Sequence, residues 1–287
     1  MVGNKNNIEP SEGGWTTELT DNGSVIGSFK EGLWNDEKTP IVLIPGIGEN
    51  ANSLFLLANS LRKLDQETEV VTIDSRRARN RLGRAASIGA YGRLLKDAAA
   101  KHLGDDRPIV LGGHSLGGLV AQDRALNDPD WIEALVLMST FPLGMPPFRP
   151  DLSTRLKMAS FVFAPEHLDR YAVDLFGGDF CNKDQLFETL GMSHEVDKEA
   201  FLRQIIALGA LAARSLTVIH DRPENIAART LVICGTNDPV VPHQNSLRLH
   251  ELLPNSSLVL MPEGGHMPHL TRARKTAGYL NKFKNAA

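Results

Sequence analysis

The segment from Pro108 to Gly118 constrains the fold more than any other part of the chain. It reads Pro-Ile-Val-Leu-Gly-Gly-His-Ser-Leu-Gly-Gly, an apolar run that ends in Gly-x-Ser-x-Gly. The run predicts a buried strand, and the residues that follow, Leu119 to Leu126, predict a helix. A serine on such a tight strand-to-helix turn has an exposed hydroxyl, and the crowded turn requires glycine on either side. Ser115 is therefore a candidate nucleophile.

Two later loops offer the partners that a nucleophilic serine needs. The apolar run 231–234 ends in Gly-Thr-Asn-Asp-Pro, which places Asp238 just past a predicted strand. A second run, 257–261, is followed by Pro-Glu-Gly-Gly-His, which places His266 in the same way. Because loops at the carboxyl ends of parallel strands share one face, we expect Ser115, Asp238 and His266 to meet there.

Other residues compete for the role of the acid. Asp238 could be only a turn or cap residue, given the asparagine before it and the proline after it. Asp221 and Asp128 are weaker candidates, because neither follows a clear strand in the right half of the chain. After the sixth predicted strand, residues 139–141 are Ser-Thr-Phe and provide no carboxylate. Asp238 is the favoured acid.

The base also has a competitor. His269 lies close to His266 in the sequence. The glycine pair 264–265 favours His266, because glycines let a loop bring the ring up to the serine. His114, beside the nucleophile, is expected to point away from it and to pack or hydrogen-bond locally.

With these residues in this order, the chain resembles the α/β-hydrolase family, whose members carry a serine elbow, an acid and a late histidine. The resemblance covers roughly residues 40–138 and 229–284. It includes Ile-Val-Leu-Ile-Pro-Gly-Ile-Gly at 41–48, a strand that runs into a glycine loop. The resemblance implies that the backbone N–H groups of Ile47 and Leu116 form an oxyanion hole. Pro45 stands where the family usually has histidine, and it lacks an N–H group.

Strand and helix patterns alternate along most of the chain, which predicts a parallel sheet covered by helices. An opening hairpin is predicted at 15–19 and 25–29. Further strands are predicted at 41–44, 70–73, 109–111, 134–138, 231–234 and 258–261, and helices at 53–64, 87–103, 116–127, 244–253 and 272–283. The expected fold class is α/β, the α/β-hydrolase fold, with a mostly parallel eight-stranded sheet and an inserted helical cap.

The alternation stops between Pro142 and Pro223, in a segment too long for a loop and with apolar periodicity of its own. The resembled family commonly carries a helical cap over the active site at this position. The resemblance therefore implies a core domain of residues 1–141 and 224–287 and a helical cap of residues 142–223. Eight of the 11 phenylalanines lie between Phe141 and Phe201, which predicts an apolar pocket. The predicted substrate-binding residues are Gly46, His114, Phe141, Phe161, Phe176 and Met267.

Composition narrows the choice of partners. A net charge of −3 does not favour nucleic acid or an anionic membrane. Cys181 and Cys234 are too few for a disulfide framework and form no metal-type cluster. The acyl-transfer mechanism described below requires neither metal nor cofactor, so none is expected. Residues 1–14 contain no apolar run that could be a signal peptide or membrane span, which favours a cytoplasmic protein. Five arginines at 76–84 form either a solvated loop or a positive lip for anionic substrates.

These observations predict a serine hydrolase that acts on a carboxylic ester or lactone of a small to medium hydrophobic molecule. His266 would accept the proton of Ser115, and Asp238 would orient the imidazole. Other chemistry of the resembled family stays open, namely C–C bond hydrolases, thioesterases, perhydrolases and cofactor-free lyases. A small-molecule receptor with a vestigial triad is an alternative of a different class. The oligomeric state is left open.

Overall fold

A single eight-stranded sheet organises the protein. The computed structural model describes residues 14–75, 87–104, 107–163, 175 and 222–286, with only the backbone for 159–163. The strands are β1 Trp15–Leu19, β2 Val25–Phe29, β3 Ile41–Ile44, β4 Val70–Asp74, β5 Ile109–His114, β6 Ile132–Met138, β7 Arg229–Gly235 and β8 Ser256–Met261. Their order is β1-β2-β4-β3-β5-β6-β7-β8. The β1–β2 and β2–β4 pairs are antiparallel, whereas β3 to β8 run parallel to one another.

Helices cover both faces of this sheet. They are α1 Phe55–Leu64, α2 Ile88–Leu103, α3 Leu116–Asn127, α4 Leu152–Phe163, α5 Gln244–Leu252, α6 Pro268–Thr271 and α7 Ala273–Asn285. One buried apolar cluster joins α2, α3 and α5 to the sheet. A second cluster joins α1 and α7 to the opposite face. The central parallel strands are buried along almost their whole length, since helices exclude water from both sides. The predicted α/β-hydrolase fold is confirmed.

Two elements have boundaries that differ from those predicted, one because of a glycine and one because of a proline. β5 runs to His114, three residues past the predicted end at Leu111. A Cβ atom on Gly112 would lie 2.6 Å from Cδ2 of Leu43, so this glycine allows β3 and β5 to pack closely within the sheet. The last helical segment begins earlier than predicted, because Pro268 starts the short helix α6.

Part of the predicted cap lies outside the described residues. Between 142 and 223 the structure describes 142–163, 175 and 222–223, and this part includes α4. The division into a core and a cap therefore stays a prediction. The arginine-rich stretch 76–84 and Phe176 also lie outside the described residues, as does the side chain of Phe161. No helix in the described part of the chain combines the length and apolarity needed to cross a bilayer.

Candidate active site

The parallel register brings the predicted site loops to one edge of the sheet. Ser115 follows β5 directly, Asp238 comes three residues after β7, and His266 comes five residues after β8. In the paired strands, the last residue of β5 lies opposite the last residue of β6, and the last residue of β7 lies opposite the last residue of β8. The three loops thus leave the sheet on the same side, as expected for the carboxyl ends of parallel strands.

Ser115 occupies a strained backbone conformation. Its φ is 50° and its ψ is −114°, which L-residues other than glycine rarely adopt. Neighbouring glycines permit this turn: a Cβ atom on Gly113 would lie 2.2 Å from the oxygen of Gly117, and one on Gly117 would lie 2.4 Å from the oxygen of Ile44. Both contacts are with backbone atoms, so a side chain at either position would displace the turn itself.

Hydrogen bonds to β6 and its loop hold the serine in this conformation. The N–H group of Ser115 donates to the oxygen of Met138 at 2.9 Å. The hydroxyl of Thr140 donates to the oxygen of Ser115 at 2.8 Å. Helix α3 starts at the next residue, Leu116, and directs the positive end of its dipole towards the serine. An anion that develops beside Ser115 would be stabilised by this helix end.

Asp238 and His266 are joined by a direct hydrogen bond. Nδ1 of His266 lies 2.8 Å from Oδ2 of Asp238. The other carboxylate oxygen, Oδ1, accepts the N–H groups of Val240 at 2.9 Å and Val241 at 2.8 Å. The carboxylate is thus held on both sides, and a neutral His266 that donates from Nδ1 has its lone pair on Nε2. Both residues are buried, which strengthens the interaction between them.

Close backbone contacts lock the Asp238 loop to the His266 loop. The N–H group of Asn237 donates to the oxygen of Gly264 at 2.9 Å. A Cβ atom on Gly235 would lie only 2.0 Å from that same oxygen, so the two loops touch backbone to backbone. This contact agrees with the prediction that the glycines before His266 bring its loop to the site.

The structure separates Asp128, one of the competing acids, from the candidate site. Asp128 lies at the far end of α3, where its carboxylate pairs with Lys96 at 3.2 Å and with Arg124. Asp221 lies outside the described residues. Asp238 is therefore the competing acid that the structure brings to His266.

Glu49 joins the site although the sequence analysis did not single it out. Its Oε2 accepts the N–H group of Gly46 at 2.6 Å and lies 3.2 Å from Nδ1 of His114. Nε2 of His114 in turn donates to the backbone oxygen of His266 at 2.9 Å. Both ring nitrogens of His114 are thus engaged by the protein, which agrees with the expected local hydrogen bonding. The contact of His114 with substrate stays a prediction. His269 packs on His114 with ring centroids 4.3 Å apart.

The charges of Glu49, His114 and His269 shift one another's pKa values. Burial acts to raise the pKa of Glu49, but the charge of His114 holds that pKa well below its usual range. Burial acts to lower the pKa of His114, yet the charge of Glu49 raises it overall. Burial and the charge of His114 lower the pKa of His269 to about 4. Possible ligand atoms of the three residues lie within 4.8 Å of one another, so this is also where a metal ion would find ligands.

Acidification should destabilise the protein through His269. In the unfolded chain this residue gains its proton near its ordinary pKa of about 6.5, but in the folded protein only near about 4. Between these values the unfolded state binds more protons, so the free energy of unfolding should fall by up to about 3 kcal/mol as the pH drops. Urea unfolding across this pH range should show a shallower loss for His269→Leu than for the wild type. Parallel pH profiles for the two proteins would contradict this assignment.

Four other predicted residues follow strands or begin helices near the same edge. Ile47 and Phe141 are half-buried and pack against the apolar cluster of α2 and α3. Leu116 is the first residue of α3. Met267 is buried directly before α6. Their roles in oxyanion or substrate binding stay predictions.

Comparisons with known proteins place this chain in a family. A model of the Alpha/beta hydrolase family matches residues 41–278. The protein named "Putative carbamate hydrolase RutD" of Yersinia enterocolitica is 26% identical over 255 residues, covering 85% of this chain and 86% of that protein. Poly(3-hydroxyalkanoate) depolymerase of Ectopseudomonas oleovorans is 27% identical over 270 residues, with coverage of 93% and 91%.

A solved structure agrees with this assignment at the level of the fold. The 2-hydroxy-6-oxo-6-phenylhexa-2,4-dienoate hydrolase of Rhodococcus sp. strain RHA1 superposes with a TM-score of 0.71 at 18% identity. The alignment covers 94% of this chain and 100% of that one. Because the family match also extends over most of the sequence, the chain belongs to the alpha/beta hydrolase family.

Proposed function

We propose that this chain is a serine hydrolase that cleaves a carboxylic ester or lactone through an acyl-enzyme on Ser115. The observation that carries the proposal is the double anchoring of His266. Its Nδ1–H donates to Asp238, and its backbone oxygen accepts a hydrogen bond from His114, the residue before the serine. A hydrogen bond therefore links the backbone of His266 to His114, the residue next to Ser115, at the N-terminus of α3.

The proposed reaction follows from the protonation of these groups. Nε2 of His266 accepts the proton of Ser115 as the serine oxygen attacks the ester carbonyl. Asp238 stabilises the imidazolium that forms, and the N–H groups of Ile47 and Leu116 stabilise the tetrahedral oxyanion. Collapse of this intermediate expels the alcohol, which takes the proton back from His266. His266 then takes a proton from water, which attacks the acyl group on Ser115. The serine oxygen leaves with that proton, and the acid is released.

The apolar surroundings favour a hydrophobic acyl or alcohol group. Ile47 and Phe141 present half-buried apolar side chains near the serine loop. The phenylalanines of the predicted cap, Phe161 and Phe176 among them, would extend this surface. The names of the relatives make carbamates and oligomers of 3-hydroxyalkanoates reasonable members of a substrate panel.

The proposal is tested by trapping the intermediate. Mixing the protein with p-nitrophenyl butyrate should give a burst of nitrophenol and then steady turnover. Rapid acid quenching should leave one butyryl group, which peptide mass spectrometry places on Ser115. The same mixture with Ser115→Ala should show neither the burst nor the adduct.

Other outcomes would point to other chemistry. Labelling of Ser115 without steady turnover of esters, lactones, thioesters or carbamates would contradict the proposed hydrolase activity. It would support the alternative of a small-molecule receptor with a vestigial triad. Release of a ketone or aldehyde without consumption of water would indicate a lyase. If the protein hydrolyses a carbon–carbon bond but does not turn over esters, C–C bond hydrolysis replaces ester cleavage as the proposed function.

A further inference from the structure

We propose that Glu49 and His114 are positioning residues, whose hydrogen-bonded pair holds the glycine loop after β3 in place against the loop of His266. This inference rests on the proposed function, because the two loops matter for catalysis only if Ile47 and His266 act as described. Neither residue touches the reacting atoms in this arrangement. Glu49 acts through Gly46, and His114 acts through the backbone of His266.

The Glu49 side of the pair organises the glycine loop. Its carboxylate accepts the N–H group of Gly46 at 2.6 Å, and its own N–H group donates to the oxygen of Gly46 at 3.3 Å. The turn that contains Ile47 is therefore closed by a side-chain bond as well as a backbone bond. The hydroxyl of Ser53 lies 3.5 Å from the same carboxylate oxygen. Glu49 is 2% exposed, so water does not compete for these contacts.

The contacts of His114 are those of an imidazolium ring that is paired with a carboxylate. The acceptor of its Nε2 is the backbone oxygen of His266, so Nε2 must carry a hydrogen. Nδ1 lies 3.1 Å from Oε1 and 3.2 Å from Oε2 of Glu49. A lone pair on Nδ1 would face two carboxylate oxygens and repel them. A proton on Nδ1 satisfies the contact and makes His114 an imidazolium that donates from both nitrogens.

The glycine loop packs directly on this pair. A Cβ atom on Gly46 would lie 2.8 Å from Nδ1 of His114 and 3.2 Å from Oε2 of Glu49. The loop can therefore reach the pair only with glycine at this position. One pair of side chains thus links the loop after β3, the end of β5 and the loop after β8. Those three segments carry the proposed oxyanion donor, nucleophile and base.

Small errors in these positions have large effects on rate. A misplacement of about 1 Å can cost about 10²-fold, and loss of one oxyanion donor about 10²- to 10³-fold. We expect Glu49→Leu to lower kcat for p-nitrophenyl butyrate by about 10²-fold, with KM changed by less than about 3-fold. His114→Leu should have a similar effect, because it removes the other half of the pair.

A conservative variant separates positioning from simple filling of space. In Glu49→Gln, the amide oxygen can accept from Gly46 and the amide N–H can donate to Nδ1 of a neutral His114. We therefore expect this variant to regain most of the activity that Glu49→Leu loses. The double variant Glu49→Leu/His114→Leu should be no slower than either single variant, since the two residues act as a unit.

The control is an acidic residue of a similar kind at the opposite edge of the sheet. Asp65 pairs with Lys38 at 2.9 Å just before β4. Asp65→Leu should lower Tm and leave kcat unchanged. The proposal is overturned if Glu49→Leu keeps the wild-type kcat, if Glu49→Gln is as slow as Glu49→Leu, or if the effects of Glu49→Leu and His114→Leu multiply in the double variant.

A second readout does not depend on turnover. Nitrogen NMR of histidine in the wild type at neutral pH should show the ring of His114, assigned by its loss in His114→Leu, with both nitrogens protonated, and Glu49→Gln should abolish this signature. A neutral His114, or a stoichiometric metal ion found by elemental analysis of the purified protein, would overturn the pair. If instead the wild type fails to acylate Ser115 while the NMR signature is present, the proposed function fails and the Glu49–His114 contact stands.

Discussion

Replacing Ser115 with alanine should lower kcat for ester hydrolysis by about 10⁶-fold. The variant keeps the backbone of the turn but lacks the oxygen that would form the acyl-enzyme, so His266 has no proton to accept. The predicted substrate contacts of the glycine loop and of Phe141 do not involve this oxygen, so KM should change little. Initial rates with p-nitrophenyl butyrate, measured at high protein concentration and corrected for buffer hydrolysis, give the value.

Ser139 provides the matched control for this substitution. It too is a buried serine with a positive φ, 45°, and it directly follows β6. Ser139→Ala should retain kcat within about 3-fold, because no step of the proposed reaction uses its hydroxyl. Equal losses in the two variants would mean that strain in the turn, not a nucleophilic oxygen, limits the rate. A Ser115→Ala variant with wild-type turnover would eliminate the acyl-enzyme mechanism.

Replacing Asp238 with asparagine should lower kcat by about 10⁴-fold. Two N–H groups, from Val240 and Val241, donate to Oδ1 and will select the amide oxygen for that place. The amide NH₂ group must then face Nδ1 of His266, which becomes the acceptor of a hydrogen bond. This contact selects the imidazole tautomer with a proton on Nε2, and that tautomer cannot accept the proton of Ser115.

The competing acid offers the comparison for this variant. Asp128→Asn, which alters the ion pairs with Lys96 and Arg124 at the end of α3, should change kcat by less than about 3-fold. Steady-state kinetics of both variants with the same ester decide between the two acids. A larger loss for Asp128→Asn than for Asp238→Asn would transfer the role of the acid to α3.

The local sequence was sufficient to predict which loops of the candidate site follow strands. Ser115, Asp238 and His266 each come shortly after an apolar run, and the parallel order of the strands then requires their loops to share an edge. The hydrogen bond between Asp238 and His266 agrees with this expectation. Cys234 lies within the predicted strand 231–234 and is buried in β7.

Residues whose role depends on contacts distant in sequence were not predictable in this way. Glu49 lies in a polar stretch, Gly-Glu-Asn, which is typical of an exposed turn. It is buried because His114, 65 residues later, provides a charge for its carboxylate. The glycine at 112 resembled the start of a turn, and only the side chain of Leu43 on the neighbouring strand explains why it continues β5.

The order of the strands also has a consequence for how this protein can diversify. The chain leaves β6 at Met138, on the edge that carries Ser115, and β7 begins at Arg229. The pairing of β7 with β8 aligns the loops of Asp238 and His266, and β6 holds β7 in register from its other side. We therefore expect exchanges in the connection between β6 and β7 to change substrate selectivity more than they change the alignment of these two loops.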